Sequence, residues 1–174
     1  MCNSLTLTLL KLTCPGVPDI YQGNETYDLS LVDPDNRRPV DYAKRRSMLD
    51  ELESIERGGD LAAGAHGLAS TLGDGRAKMW IVWRTLALRR SYRELFDFGQ
   101  YVPLQTTGSR SEHVIAFVRR HGGKTAVTVG GRLWTQVGHA ASLREKADRP
   151  KGPSRPVSTA PPPKAGPSEL APTS

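Results

Sequence analysis

Pro15-Gly-Val-Pro-Asp-Ile-Tyr-Gln-Gly-Asn-Glu25, followed by Leu31-Val-Asp-Pro-Asp-Asn-Arg-Arg-Pro-Val-Asp-Tyr42, decides how this chain is read. After the Pro15-Gly16 breaker, residues 17–21 read as a short apolar strand. Residues 22–42 then form a long polar loop, punctuated by Pro34 and Pro39. Loops of that length inside compact domains are either functional or disordered. The aromatic Tyr27 and the density of carboxylates, amides and guanidinium groups favour function. In α/β enzymes, loops at the carboxyl ends of strands are where substrates are held.

The loop's chemistry suits a polyhydroxylated ligand. Planar amides, carboxylates and guanidinium groups bind hydroxyls through paired hydrogen bonds. Gln22, Asn24 and Glu25 stand at the expected strand end, and Asp33, Asp35, Asn36, Arg37, Arg38 and Asp41 follow within a few residues. Gly23 lets the backbone pass closely without a Cβ. Two roles stay open for the arginines. Arg37 and Arg38 either touch substrate or pair with Asp33, Asp35 or Asp41 to hold the loop. A calcium loop is excluded, because Arg37 and Arg38 occupy the third ligand position and the required glycine of that pattern.

Outward from this stretch, residues 5–12 alternate briefly, which favours a strand, and then break at Leu9-Leu10. On the other side, residues 41–55 read as a helix with Tyr42, Met48, Leu49, Leu52 and Ile55 on one face, stopped by Gly58-Gly59. Residues 60–75, rich in Gly and Ala, read as a loose connection closed by an Asp74-Gly75 turn. A second helix is expected over residues 77–91, with Met79, Val82, Trp83, Leu86 and Arg90 at helical spacing and Ile81 and Leu88 adding breadth. Trp80 and Trp83 at such spacing favour core packing over sugar stacking. Residues 101–104 are a candidate strand. Residues 113–119 and 124–129 read as a hairpin around Gly122-Gly123. Most of the thirteen prolines fall between Pro150 and Pro172, mixed with Ala, Ser and Lys. That composition cannot offset its ordering entropy, so residues 138–174 are expected to be a disordered tail.

The net charge of +6 and a pI near 9.6 raise nucleic-acid binding. The excess is spread in pairs, Arg37-Arg38, Arg45-Arg46, Arg89-Arg90 and Arg119-Arg120, and only 6% of residues are aromatic. Neither fits a nucleic-acid footprint. Cys2 and Cys14 have no metal-ligand spacing and read as free thiols in a reducing cytoplasm. No apolar run is long enough for a membrane helix, and the start lacks a signal-peptide pattern. No nucleic acid, membrane, metal or cofactor is expected.

The wording of residues 9–42 resembles the last barrel strand and following loop of the α-amylase clan, and within it is most similar to the maltooligosyl trehalose synthase family. The resemblance runs from Asn3 to Leu133. Cys14, Asn24, Thr26 and Tyr27 depart from the family wording, which is closer to Ser, Thr, Leu and Trp. The resemblance implies an α/β fold: the end of a (β/α)8 barrel, with its last strand, loop and helix, then a further helix and part of a β-rich domain. It also implies that residues 5–12 are the end of a helix packed outside the barrel. The expected divisions are residues 1–57 for the barrel end, 58–76 for the connection, 77–137 for the helix and β-rich part, and 138–174 for the tail.

Clan members cleave glycosidic links with retention, using two carboxyls about 5 Å apart. In this family a reducing-end α-1,4 link of a maltooligosaccharide becomes α,α-1,1. The resemblance implies that Gln22, Glu25, Asp33, Asp35, Arg37, Arg38 and Asp41 belong to a substrate-binding loop. None of the chain's carboxylates matches the clan's nucleophile, acid/base or third Asp. A closed barrel needs at least about 200 residues, so the 174 residues read as a C-terminal fragment, inactive alone. Its partners would be maltooligosaccharide and a second polypeptide carrying the rest of the barrel. The alternatives are a non-catalytic carbohydrate-binding or interaction module built on the hairpin, and a degenerate remnant.

Overall fold

Asp41 marks the point where the long loop becomes helix. In a computed structural model that describes residues 1–31 and 33–137, its Oδ1 accepts from the Lys44 N–H at 2.9 Å. That satisfies one of the four donors left open at a helix start. Helix α2 then runs Tyr42–Arg57, within two residues of the expected end. Met48 and Leu52 on its apolar face are buried, Leu52 completely, whereas Tyr42 is exposed. A fully buried leucine contributes about 2 kcal/mol. Replacing the cap, Asp41→Ala, is expected to cost about 1 kcal/mol. It should appear as a lower urea midpoint with an unchanged slope, and Asp41→Asn should keep most of the stability.

The expected loose connection is corrected by the structure. Helix α3 spans Leu61–Ser70, N-capped by Asp60, whose Oδ1 accepts from the Ala63 N–H at 2.9 Å. A tight 3-10 turn, Leu72–Asp74, follows. Alanine and leucine are strong helix formers, and Leu68 supplies the buried contact. Gly64 weakens the helix intrinsically. It also lets α3 lie against Ile55, whose Cγ2 would collide with any Cβ at that position.

Helix α4 runs Arg76–Ser91, close to expectation. Ala77, Met79 and Val82 are buried, while Leu86 and Leu88 are exposed, so the apolar face is narrower than the spacing suggests. Trp80 and Trp83 are partly buried against the cluster formed by Met48, Leu52, Leu68, Ala77 and Met79. Their rings meet edge to face at 5.6 Å, and Arg84, paired with Glu56, lies over both. Helix α5, Arg93–Asp97, was not expected. It buries Leu95 and Phe96.

Strands β1 (Gln100–Leu104), β2 (Val114–His121) and β3 (Lys124–Gly131) form an antiparallel sheet in the order β1-β2-β3. The expected hairpin is present, turning at Gly122-Gly123. Val118 lies between Val102 and Val127, and Phe117 between Pro103 and Thr128. Pro103 sits on an edge strand, where a missing N–H is tolerated.

Residues 5–12 are helical, as the resemblance implied and against the strand alternation. Helix α1, Cys2–Thr13, packs against both α4 and β3, and Thr6 Oγ1 donates to Gly131 O at 2.8 Å. Two arginines hold its C-terminal end. Arg89 donates to Leu12 O at 2.9 Å and Gly16 O at 3.1 Å. Arg119, 1% exposed, donates to Thr13 O at 3.2 Å, Phe96 O at 2.8 Å and Gly99 O at 2.9 Å. Carbonyls at a helix C-terminus have no partners within the helix and carry partial negative charge, so cations suit them.

Residues 17–21 are not a strand, which is a second correction. A strand needs a neighbour to take up its N–H and C=O groups. The three-stranded sheet is the only sheet among the described residues, and this segment does not join it. It follows α1 as irregular chain, with Lys11 Nζ donating to Asp19 O at 2.9 Å. Val17 is 96% exposed, Leu29 91% and Leu31 88%. The expected proline-rich tail lies outside the described residues. None of the described helices is long and apolar enough to cross a membrane.

Candidate functional site

The loop of residues 22–41 closes over the start of α2 and leaves an open cleft of about 600 Å³. Gln22, Asp35, Arg38 and Asp41 line it, together with Asn36, Lys44 and Arg45. The other three expected residues are placed elsewhere. Glu25 faces a neighbouring hollow between α2 and α4. Asp33 and Arg37 pair with each other away from the cleft, Arg37 Nη2 donating to Asp33 Oδ2 at 2.6 Å.

Every expected carboxylate has a structural partner. Asp33 holds Arg37, Asp35 holds Arg38, Asp41 caps α2, and Glu25 accepts from Arg45 Nε at 3.2 Å. The arginine question is thereby answered in part: Arg37 and Arg38 do pair within the loop. Both pairs are largely exposed, and such pairs are worth about 0–1 kcal/mol. The Arg38–Asp35 pair also lines the cleft, so its weak mutual attraction leaves both groups available to hydroxyls. Tyr42 Oη donates to Gln22 Oε1 at 3.4 Å, tying the loop's first residue to α2.

Arg45 is one of two residues that the sequence did not single out. Besides Glu25, it donates to Asp41 O at 3.2 Å, Gly23 O at 2.9 Å and Thr26 Oγ1 at 3.4 Å. One side chain in the first turn of α2 thus binds both ends of the loop. Gly23 makes this approach feasible: its φ of +90° is left-handed, and a Cβ there would lie 3.3 Å from Val40 Cγ2 and 3.4 Å from Arg45 Nη2. The available signal was weak, an Arg45-Arg46 pair at a helix start, where cations are disfavoured by the dipole.

Lys78 on α4 was also missed. Its Nζ donates to Thr26 O at 2.8 Å and lies 5.8 Å from the Tyr27 ring centroid. Burial, then the nearby Lys11, pushes its ammonium below the usual lysine range, against Asp28 and Glu25. Burial also raises the Tyr27 phenol, helped by Cys2 and Asp74. Among the described residues, Tyr27 Oη and Asn36 Oδ1 are buried without hydrogen-bond partners.

The arrangement can present hydroxyl-binding groups on a held loop. It offers no pair of unengaged carboxylates for acid and nucleophile work. Among the described residues no cluster of His, Cys, Asp and Glu suits a metal ion.

No protein-family model matches the chain. Two curated relatives from Mycobacterium tuberculosis, strains CDC 1551 / Oshkosh and ATCC 25618 / H37Rv, are both described as putative maltooligosyl trehalose synthase. Each is 40% identical over 126 residues, which is 72% of this chain and 14% of the relative. The chain therefore spans about one seventh of the length of these relatives. A crystal structure of maltooligosyl trehalose synthase matches with a TM-score of 0.62 at 31% identity, covering 75% of this chain and 16% of that one. Over most of its length, this chain is related in sequence and in fold to a segment of maltooligosyl trehalose synthase.

Proposed function

We propose that these residues form a C-terminal segment of a maltooligosyl trehalose synthase, supplying the stretch at residues 17–21 that pairs as a strand only when the rest of the barrel is present, the sugar-facing loop after it and part of the following β-rich domain. The observation that carries this reading is the 40% identity across 72% of the chain. The cleft chemistry agrees with it. Gln22, Asp35, Arg38 and Asp41 contribute hydroxyl-binding groups to a maltooligosaccharide, while Glu25, Asp33 and Arg37 hold the loop. The divisions at residues 57, 76 and 137 belong to the same reading.

Completing the site takes the remaining strands of the barrel. Residues 17–31 support this physically. Irregular chain outside the sheet, with strongly exposed Val17, Leu29 and Leu31, is a surface that gains by being covered. In the completed enzyme these groups face neighbouring strands, and the reacting carboxylates come from elsewhere. Exclusion of water from the assembled site protects the glucosyl intermediate from hydrolysis.

The 174 residues alone are expected to have no glucosylmutase activity, since each loop carboxylate is engaged in holding structure. The test is incubation of the purified chain with maltopentaose, followed by loss of reducing ends. A non-reducing product at a rate above the buffer control would overturn the proposal.

A further inference from the structure

The paired arginines near the sheet divide their labour. In Arg89-Arg90 and in Arg119-Arg120, the first member turns inward to backbone carbonyls. The second member is exposed. Arg90 and Arg120 make no ion pair among the described residues, and neither does Lys124. The nearest elements offer little to neutralise them. Asp97 is taken by Arg93 at 3.1 Å and reaches Arg89 at 4.0 Å, which leaves Glu94 as the free acid beside them.

These cations converge on one end of the molecule. The end of α4, the start of α5 and the β2–β3 turn enclose a cleft of about 220 Å³ whose lining includes Arg90, Arg93, His121 and Lys124, with Glu94 the one carboxylate among the lining residues. A second, shallower hollow continues around the hairpin tip and adds Arg120. The Lys124 Nζ lies 5.5 Å from the Tyr92 ring centroid, so the hairpin ammonium is drawn toward the α4 side. The cleft is smaller than a drug-sized pocket of about 300–1,000 Å³, and it brings guanidinium forks together with an ammonium. That combination suits a compact oxyanion with several acceptor oxygens.

We propose that this cleft binds a phosphate group, with Arg90 and Lys124 as its principal donors and Arg120 on its rim. The site is separate from the loop cleft at residues 22–41 and does not depend on the sugar reading. The phosphate is either the free ion or one carried by a small sugar.

The test is calorimetric titration of the full chain at low ionic strength, once with inorganic phosphate and once with a hexose monophosphate. Saturable binding is expected, weakened on the order of tenfold or more in an Arg90→Ala/Lys124→Ala double variant. Arg57→Ala, which removes an exposed guanidinium paired with Glu53 on α2, should bind as the parent does. Both double-variant positions are exposed, so its thermal melt should match the parent. As a check that needs no variant, amide shifts in the parent chain should move at residues 90–93 and 120–124. Tighter binding of the sugar phosphate identifies that source, and tighter binding of inorganic phosphate identifies the free ion; either supports the site. Equal affinity in the double variant, shifts centred elsewhere, or no saturation by either anion at about 50 mM, beyond any useful affinity, overturns it. So does much tighter, steeply salt-dependent binding of an oligonucleotide, which marks a diffuse nucleic-acid surface.

Discussion

Arg119→Met should destabilise the chain by about 3–5 kcal/mol, while Arg120→Met next to it should change stability by less than about 0.5 kcal/mol. The two residues are adjacent on β2 and chemically identical. Arg119 is buried and donates to carbonyls from three elements: Thr13 at the end of α1, Phe96 on α5 and Gly99 before β1. Methionine fills the volume and supplies no donor, so these carbonyls lose their partner in a place water reaches poorly. Burial lowers the Arg119 guanidinium pKa, and neighbouring Arg89 lowers it further, against Cys14 and Asp97. The group stays protonated, because arginine does not lose its proton in proteins. Domains of this size are stable by only about 5–15 kcal/mol, so the loss should show plainly in urea unfolding. A variant within about 1 kcal/mol of the parent would show that the three carbonyls find other donors.

Arg45→Ala is expected to cost about 2–3 kcal/mol and to loosen the loop. Arg45 and Glu25 are both more than two-thirds buried at the side chain. Removing the arginine leaves the Glu25 carboxylate without its counter-ion and the Gly23 carbonyl without its donor. Arg45→Lys should recover only part of the loss, since a lysine places one point charge where the guanidinium reaches four acceptors. The loop reports on itself, because trypsin can cut between Arg37 and Arg38. Faster cleavage at that bond in Arg45→Ala, with Arg45→Lys intermediate, is the expected result. Unchanged cleavage and an unchanged urea midpoint would show that the loop is held by Lys78 and the Asp–Arg pairs instead.

The helices at residues 42–57 and 76–91 were legible because each bears a cap or breaker and a run of apolar residues at helical spacing. The hairpin was legible for the same kind of reason, two β-rich runs around Gly122-Gly123. Helix α3 was missed because glycines lower its propensity. What offsets that cost is packing against Ile55 on the preceding helix, a contact that the pattern within residues 60–75 does not show. For residues 5–12, period-two alternation pointed one way and the family likeness the other. Packing against α4 and β3 settled it as helix.

Residues 17–21 show the converse. Their pattern suits a strand, but a strand is a relation between two segments, and no neighbour for it exists among the described residues. In the loop, the sequence alone singled out side chains able to bind hydroxyls, since residue type carries that chemistry. It could not apportion them between the cleft, the neighbouring hollow and the Asp33–Arg37 pair.

Local pattern by itself determined the caps, the helix faces, the hairpin and the wording that ties the chain to its relatives. The tertiary structure alone decided which arginines are structural. Arg45, Arg89 and Arg119 turn to acceptors far away in the chain, while Arg46, Arg90 and Arg120 remain exposed. The physical reason is that a guanidinium's role depends on which carbonyls and carboxylates folding brings within about 3 Å, and neighbouring residues in sequence carry no record of that.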